Sequence, residues 1–185
     1  YTSQYTLSLH DALPISGNNT IADLSVERVD EVGVVFFNDS GGNTLTDLST
    51  VDTGVEGLLF ADSGENTLTD VSVVDANRNG VGFIQIHAVD GSPNNTLVDV
   101  EITDSRMRGL VLSRASGTTL EDSSVVDSGV GLFVGESDDV VIEDLLVENA
   151  SVEEAIRIAL SDNATIRDAR VLGGEFFGLH VVESS

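Results

Sequence analysis

The chain has 185 residues, 32 of them acidic and 8 basic, for a formal net charge of −24; every base is Arg, and Lys is absent. That balance argues against nucleic acid and anionic membrane surfaces as partners, since both are bound through clustered Lys and Arg. With no Cys there is no disulfide framework or thiolate chemistry, and no apolar run approaches the roughly 18 residues of a membrane span.

Residues 1–16, YTSQYTLSLHDALPIS, stand apart from everything that follows. They lack the basic start and the longer apolar core of a signal peptide, and they resemble translated vector or adapter sequence. The folded domain is expected over 17–185, as a part of a longer protein truncated at both ends.

From Asn18 onward the chain repeats. An aliphatic anchor recurs at Ile21, Leu45, Leu68, Leu97, Leu120, Ile142 and Ile166, in steps of 24, 23, 29, 23, 22 and 24. Two residues after each anchor stands an acid: Asp23, Asp47, Asp70, Asp99, Asp122, Asp144 and Asp168. A second polar column, Asp52, Asp75, Asp104, Asp127 and Asn149, follows the anchor by seven. Most copies then carry a Gly and a short apolar run, as in Gly33-Val-Val-Phe, Gly57-Leu-Leu-Phe and Gly131-Leu-Phe-Val. Short β-branched and aliphatic runs between Asp, Asn, Ser and Gly corners read as strands. Even Val152 to Leu160, the stretch closest to a helical period, sits where the repeat expects a strand. A fixed short period decides the architecture before local propensity does. Stacked units place equal positions about 4.8 Å apart as parallel strands. The long step puts extra residues in Ile84 to Asn94, an outward loop with His87 and Asp90.

The pattern Asn-x-(Ile/Leu)-x-Asp-x-x-(Val/Ile)-x-Asp-x-Gly-x-Gly-(Ile/Leu)-x-(Leu/Phe) resembles the right-handed parallel β-helix family. That family includes pectate lyases, polygalacturonases and surface or periplasmic proteins with NosD-like repeats. The resemblance covers 17–185 and implies an all-β solenoid of about seven coils. It implies two functions: a non-catalytic extracellular or cell-surface module that binds polysaccharide or acts as a scaffold, or a polysaccharide lyase or glycoside hydrolase whose active coils lie partly outside this chain. The polygalacturonase signatures and the Asp-Pro-His motif of alginate epimerases are not found. Asn-x-Ser/Thr triplets begin at Asn18, Asn38, Asn94, Asn149 and Asn163, which suits either a glycosylated surface or plain turn formation.

Candidate ligand residues follow from charge. Arg78, Arg106 and Arg108 lie in neighbouring coils, with His87 and Asp104 near them. They could hold a carboxylated sugar through guanidinium forks, or they could pair with Asp75, Asp104 and Asp127 to relieve acid crowding. Those three acids are also the candidate metal ligands, with Ca2+ as the implied cofactor because it takes six to eight oxygens in irregular geometry. The Asp column after the anchor is expected to accept hydrogen bonds from turn amides. His180 is expected to be an ordinary surface residue without a catalytic partner. By alternation Val35, Leu59, Val111 and Phe133 point outward, an apolar ladder suited to docking a flanking domain.

A folded, Lys-free, acidic surface fits extreme salt, where a Debye length of about 3 Å at about 1 M screens its self-repulsion. The thermal midpoint is therefore expected to rise between about 0.1 M and about 3 M salt. A midpoint that ignores salt contradicts this reading.

Overall fold

Two kinds of strand alternate along the chain in the computed structural model, which describes residues 17–37, 40–86 and 91–185. The first four coils each hold a long and a short strand: β1 (Thr20–Val29) and β2 (Val34–Phe37), β3 (Thr44–Thr53) and β4 (Leu58–Ala61), β5 (Thr67–Ala76) and β6 (Asn79–Ile84), β7 (Thr96–Thr103) and β8 (Arg108–Ser113). In the last three the long strand divides in two: β9 (Thr119–Glu121), β10 (Ser124–Val126) and β11 (Val130–Gly135); then β12 (Val141–Glu143), β13 (Leu146–Glu148) and β14 (Ile156–Ala159). The final set is β15 (Thr165–Arg167), β16 (Arg170–Leu172) and β17 (Leu179–Val182). No helix occurs among the described residues.

Every strand pair is parallel. The long strands and their halves form one sheet of ten strands, and the short strands form a second of seven. The anchors align coil on coil, Ile21 on Leu45, Leu68, Leu97, Leu120, Ile142 and Ile166. Parallel crossovers of this kind are right-handed, and the chain is a right-handed parallel β-helix of seven coils.

Each coil bends at residues held in the left-handed region. The column two after the anchor, Asp23 through Asp168, has φ between 48° and 55° in all seven coils. The column seven after it, Arg28, Asp52, Asp75, Asp104, Asp127, Asn149 and Gly173, lies between 51° and 68°. Asp62, Glu136 and Glu183 mark a third bend, and Asn18, Asn94 and Asn163 a fourth. Among the described residues, thirteen Asp and four Asn stand among twenty-three non-glycine residues at positive φ. Short polar side chains tolerate this conformation best after glycine, because a Cβ otherwise crowds the next carbonyl.

The bends also set which side chains face inward. Along a straight strand the buried residues are two apart, as Leu48 and Thr50 are; across a bend they are three apart, as Leu45 and Leu48 are on either side of Asp47. The bend residues themselves point out, except Asp62, which is buried and accepts from Ile86 N at 3.2 Å. None of the seven Asp side chains after the anchors makes a hydrogen bond among the described residues, and all seven are exposed. They are corner formers through backbone tolerance, not the turn acceptors expected from sequence.

The acceptor role belongs to the Asn two before the anchor. Asn43 Oδ1 accepts from Asn19 N and Nδ2 at 3.1 and 3.0 Å. Asn66 does the same for Asn43 at 3.0 and 2.9 Å, and Asn95 for Asn66 at 3.0 and 3.2 Å. Asn43, Asn66 and Asn95 are buried, and the ladder ends where Thr118 replaces Asn and donates to Ala115 O at 2.7 Å. Between the sheets the core is a set of single-residue columns. Phe36, Phe60 and Phe83 stack with centroids 4.8 and 4.5 Å apart and rings within 9° of parallel. The glycine column lets the second half of the long strand approach the short strand: a Cβ on Gly109 would sit 2.1 Å from Val125 Cγ1.

The outward apolar ladder is less exposed than its alternation suggests. Leu59 and Val111 are only 8% and 5% exposed, while Val35 and Phe133 are half-buried. Gly82 stands between Leu59 and Val111 in register, and Leu59 Cδ1 lies 3.6 Å from where a Cβ of Gly82 would be. Arg108 covers Phe133, its guanidinium 5.0 Å from the ring centroid. The exposed large apolar residues cluster instead on the last coil, where Phe176, Phe177, Leu179 and Val181 are 52–63% exposed. Leu179 and Val181 continue the buried columns of Ile156 and Ile158, and β17 is the edge strand.

Bend tolerance gives a ranking at one corner. Asp99→Gly should hold or raise stability, and Asp99→Asn should stay within about 0.5 kcal/mol. Asp99→Val should lose about 1–2 kcal/mol, the penalty of a left-handed L-residue. Urea unfolding of the three variants checks the order, and equal losses for Asn and Val refute it.

Candidate functional site

An open concavity of about 480 Å3 lies at the second corner of coils 3 to 6, lined by Asp75, Asn77, Asp104, Ser105, Arg106, Asp127, Gly129 and Ser151. The stacking brings the candidate residues Asp75, Asp104, Asp127 and Arg106 to one rim. Asp75, Asp104 and Asp127 are corner residues with φ of 51–57°, so their carboxylates project outward rather than converge. Among the described residues no three His, Asp or Glu side chains are grouped as one metal ion would need, these three included. Asp127 Oδ1 accepts from Asn149 Nδ2 at 2.9 Å.

The three candidate arginines do not form one cluster. Arg106 and Arg108 follow their anchor by nine and eleven, whereas Arg78 follows by ten, so Arg78 aligns with Met107 and not with either guanidinium. Arg78 Nη1 reaches Glu56 Oε1 at 3.1 Å. Glu56 is 3% exposed, and Asn79 Nδ2 donates to the same oxygen at 3.2 Å. Arg106 Nη1 donates to Asn77 Oδ1 at 3.1 Å, and Arg108 lies over Phe133. Arg114 holds Glu136 through Nε and Nη2 at 2.8 and 2.7 Å and also bonds Gln85. Five of the eight arginines pair with a glutamate, Arg28, Arg78, Arg114, Arg157 and Arg167. Acid crowding is thus relieved by Glu–Arg pairs, and the pairing expected with Asp75, Asp104 and Asp127 does not occur among the described residues. His87 and Asp90 lie outside the described residues.

A second group was missed from sequence. His180 Nδ1 lies 2.6 Å from Glu154 Oε1, and Arg157 Nη1 lies 3.9 Å from Glu154 Oε2. His180 therefore has a charged partner, contrary to the reading of it as an ordinary surface residue. The two residues are 26 apart in sequence, but Arg157 and His180 are register partners on β14 and β17. The column just before the glycines carries Val32, Glu56, Asn79, Arg108, Val130, Glu154 and Phe177, so its mixed composition gave no signal for this pair. Burial pushes the Glu154 carboxyl up, but the His180 hydrogen bond, a backbone hydrogen bond and the charges of Arg157 and His180 outweigh it and hold the group below its ordinary 4.5.

Comparison with known proteins places this geometry. The profile of the NosD family, described as periplasmic copper-binding protein, matches residues 13–185. The chain belongs to the NosD family. No curated protein matches it significantly. Among solved structures, the A-module of the Azotobacter vinelandii mannuronan C-5 epimerase AlgE6 superposes with a TM-score of 0.63 at 11% identity, over 89% of this chain and 57% of that one. The enzymatically active domain of tailspike protein 2 from bacteriophage CBA120 gives 0.70 at 15%, over 88% of this chain and 28% of that one. The A-module of AlgE4, also from A. vinelandii, gives 0.55 at 14%, over 90% and 57%. The chain spans about half the length of the epimerase modules and about a quarter of the tailspike domain. At these identities the likeness shows the fold.

The family description raises copper, which is held by imidazole, thiolate and thioether donors. There is no Cys, the single Met is the exposed Met107, and the one described His has its Nδ1 on Glu154. The described residues do not fit a copper site.

The Glu154 shift fixes a pH dependence. A carboxyl held below its unfolded value adds stability above that value, and the contribution is lost as pH falls through the folded one. Thermal melts should show wild type losing stability below about pH 4.5 more steeply than Glu154→Gln. Parallel acid limbs for the two proteins contradict the pairing.

Proposed function

We propose that this chain is a non-catalytic β-helix module that works outside the cytoplasm, binding polysaccharide on a rigid rod that also serves as a scaffold. The observation that carries this reading is the concavity of coils 3 to 6. Its carboxylates accept from sugar hydroxyls, while Asn77 and Arg106 donate, and its rim repeats along the rod at coil spacing. Its lining holds no His, and its Asp side chains diverge, so it offers recognition without a paired acid and base. The acid rim favours a neutral chain over a polyuronate. The family's description as periplasmic supports the location; among the described residues no helix is long and apolar enough to cross a membrane.

A second reading, a polysaccharide lyase or glycoside hydrolase, draws on the similarity to an epimerase module and to an enzymatically active tailspike domain. One experiment separates the two. Neutral β-glucan, mannan and polygalacturonate are titrated onto wild type and the Asp104→Ala/Arg106→Gln double variant, with release of reducing and unsaturated ends followed in parallel. Binding of a neutral polymer without chain cleavage, weakened about tenfold or more in the variant, is expected for two lost polar contacts. Release of new ends supports the enzyme instead, and no binding of any polymer leaves only the scaffold.

A further inference from the structure

Glu154 enters the turn before β14, Arg157 stands on that strand, and His180 is its register partner on β17. Glu154 is 8% exposed, and its Oε1 is taken by His180. Two atoms of this group have no hydrogen-bond partner although both are buried: Oε2 of Glu154 and Nε of Arg157. The 3.9 Å from Arg157 Nη1 to Oε2 is an ion-pair distance beyond hydrogen-bond reach. The site therefore holds an acceptor without a donor beside a donor without an acceptor.

The chemistry of those two atoms selects what could complete the site. A hydroxyl accepts from N–H and donates to a carboxylate at once. A carboxylate or phosphate has no proton to donate and would face the charge of Glu154; an ammonium cannot accept. Beside the group stands the ring of Phe177, 63% exposed, with its centroid 5.5 Å from that of His180 and its plane tilted by 42°. An exposed aromatic ring next to a hydroxyl-seeking polar pair suits a molecule with an apolar face and a hydroxylated edge, which describes a sugar ring. Both orphan atoms are buried, so a hydroxyl reaches them only when a side chain that covers them moves.

We propose that Glu154, Arg157, His180 and Phe177 form a subsite for a neutral sugar unit, a ring hydroxyl bridging Arg157 Nε and Glu154 Oε2 while the sugar's C–H face lies on Phe177. This deepens the polysaccharide-binding reading and rests on it, but its residues are distinct from those of the concavity of coils 3 to 6, so the two can fail separately.

The test is a titration of isotope-labelled protein with cellohexaose, mannohexaose and xylohexaose, and with trigalacturonate for comparison. The signals followed are the amides of 154–158 and 177–181 and the His180 ring. One neutral oligosaccharide should move them saturably, and Phe177→Ala and Arg157→Lys should each weaken that binding about tenfold. Phe177 is exposed, so Phe177→Ala keeps its melting temperature, which separates lost binding from lost folding. Shifts confined to 75–77, 104–106 and 127–129 overturn the subsite and leave the concavity reading standing. Shifts at 154–158 and 177–181 that survive both variants, or that only trigalacturonate produces, overturn it as well. If no sugar moves any signal, the subsite and the polysaccharide reading fall together.

Discussion

A coil that closes within 22 to 24 residues must bend sharply several times, and among the described residues the repeated corners are marked by residues at positive φ, one after each anchor and another five residues on. Every other feature depends on those bends. They shift the in–out parity by one, so inward positions three apart across a corner meet inward positions two apart along a strand. That shift places Leu45, Leu48 and Thr50 on one core although no simple alternation connects them. It also turns the corner side chains outward, which lets a carboxylate occupy the bend without entering the core. Sixteen of the 32 acids, thirteen Asp and three Glu, stand at such corners among the described residues. Part of the charge of −24 is therefore a consequence of how the coil turns. Asn149 and Gly173 fill the same column as Asp127, so sterics alone do not demand an acid. The preference for Asp over Asn and Gly adds surface charge at positions where a polar residue was already required.

The anchors made the coil count and register readable from sequence, because burial on one column forces the same residue class at every turn. The 29-residue step was readable for the same reason: Leu68 and Leu97 still align, so the excess must leave the rod between them. Side-chain roles were harder. Asp after the anchor and Asn before it are both polar corner residues in sequence, yet only the Asn faces inward and forms the ladder. Arg78 stands one column from Arg106 and from Arg108, and each guanidinium has its own neighbour: Glu56, Asn77 and the Phe133 ring. Long guanidinium side chains then selected glutamates, whose extra methylene lets them reach back along the coil, rather than the outward corner aspartates.

Contacts between coils are the least legible class. Glu154 and His180 are distant in sequence, and their meeting depends on a register that propagates through β14 and β17. Leu59 and Val111 point outward but are buried, a closure that alternation alone cannot show. A rigid rod of stacked columns is a general scaffold, and activity resides in what individual coils add to it. Here the additions are the polar concavity of coils 3 to 6 and the Glu154 group of coils 6 and 7. The concavity is built on the repeated second acid column, whereas the Glu154 group depends on a contact between coils that the repeat alone does not show.

The left-handed corners are the central claim, and backbone scalar couplings measure them directly. The three-bond amide–Hα coupling and the one-bond Cα–Hα coupling together distinguish positive from negative φ. Measured on Asp47, Asp52, Asp70, Asp75, Asp99, Asp104, Asp122 and Asp127, they should report the left-handed region at all eight residues, with extended values between them. Extended couplings at these aspartates would contradict the account.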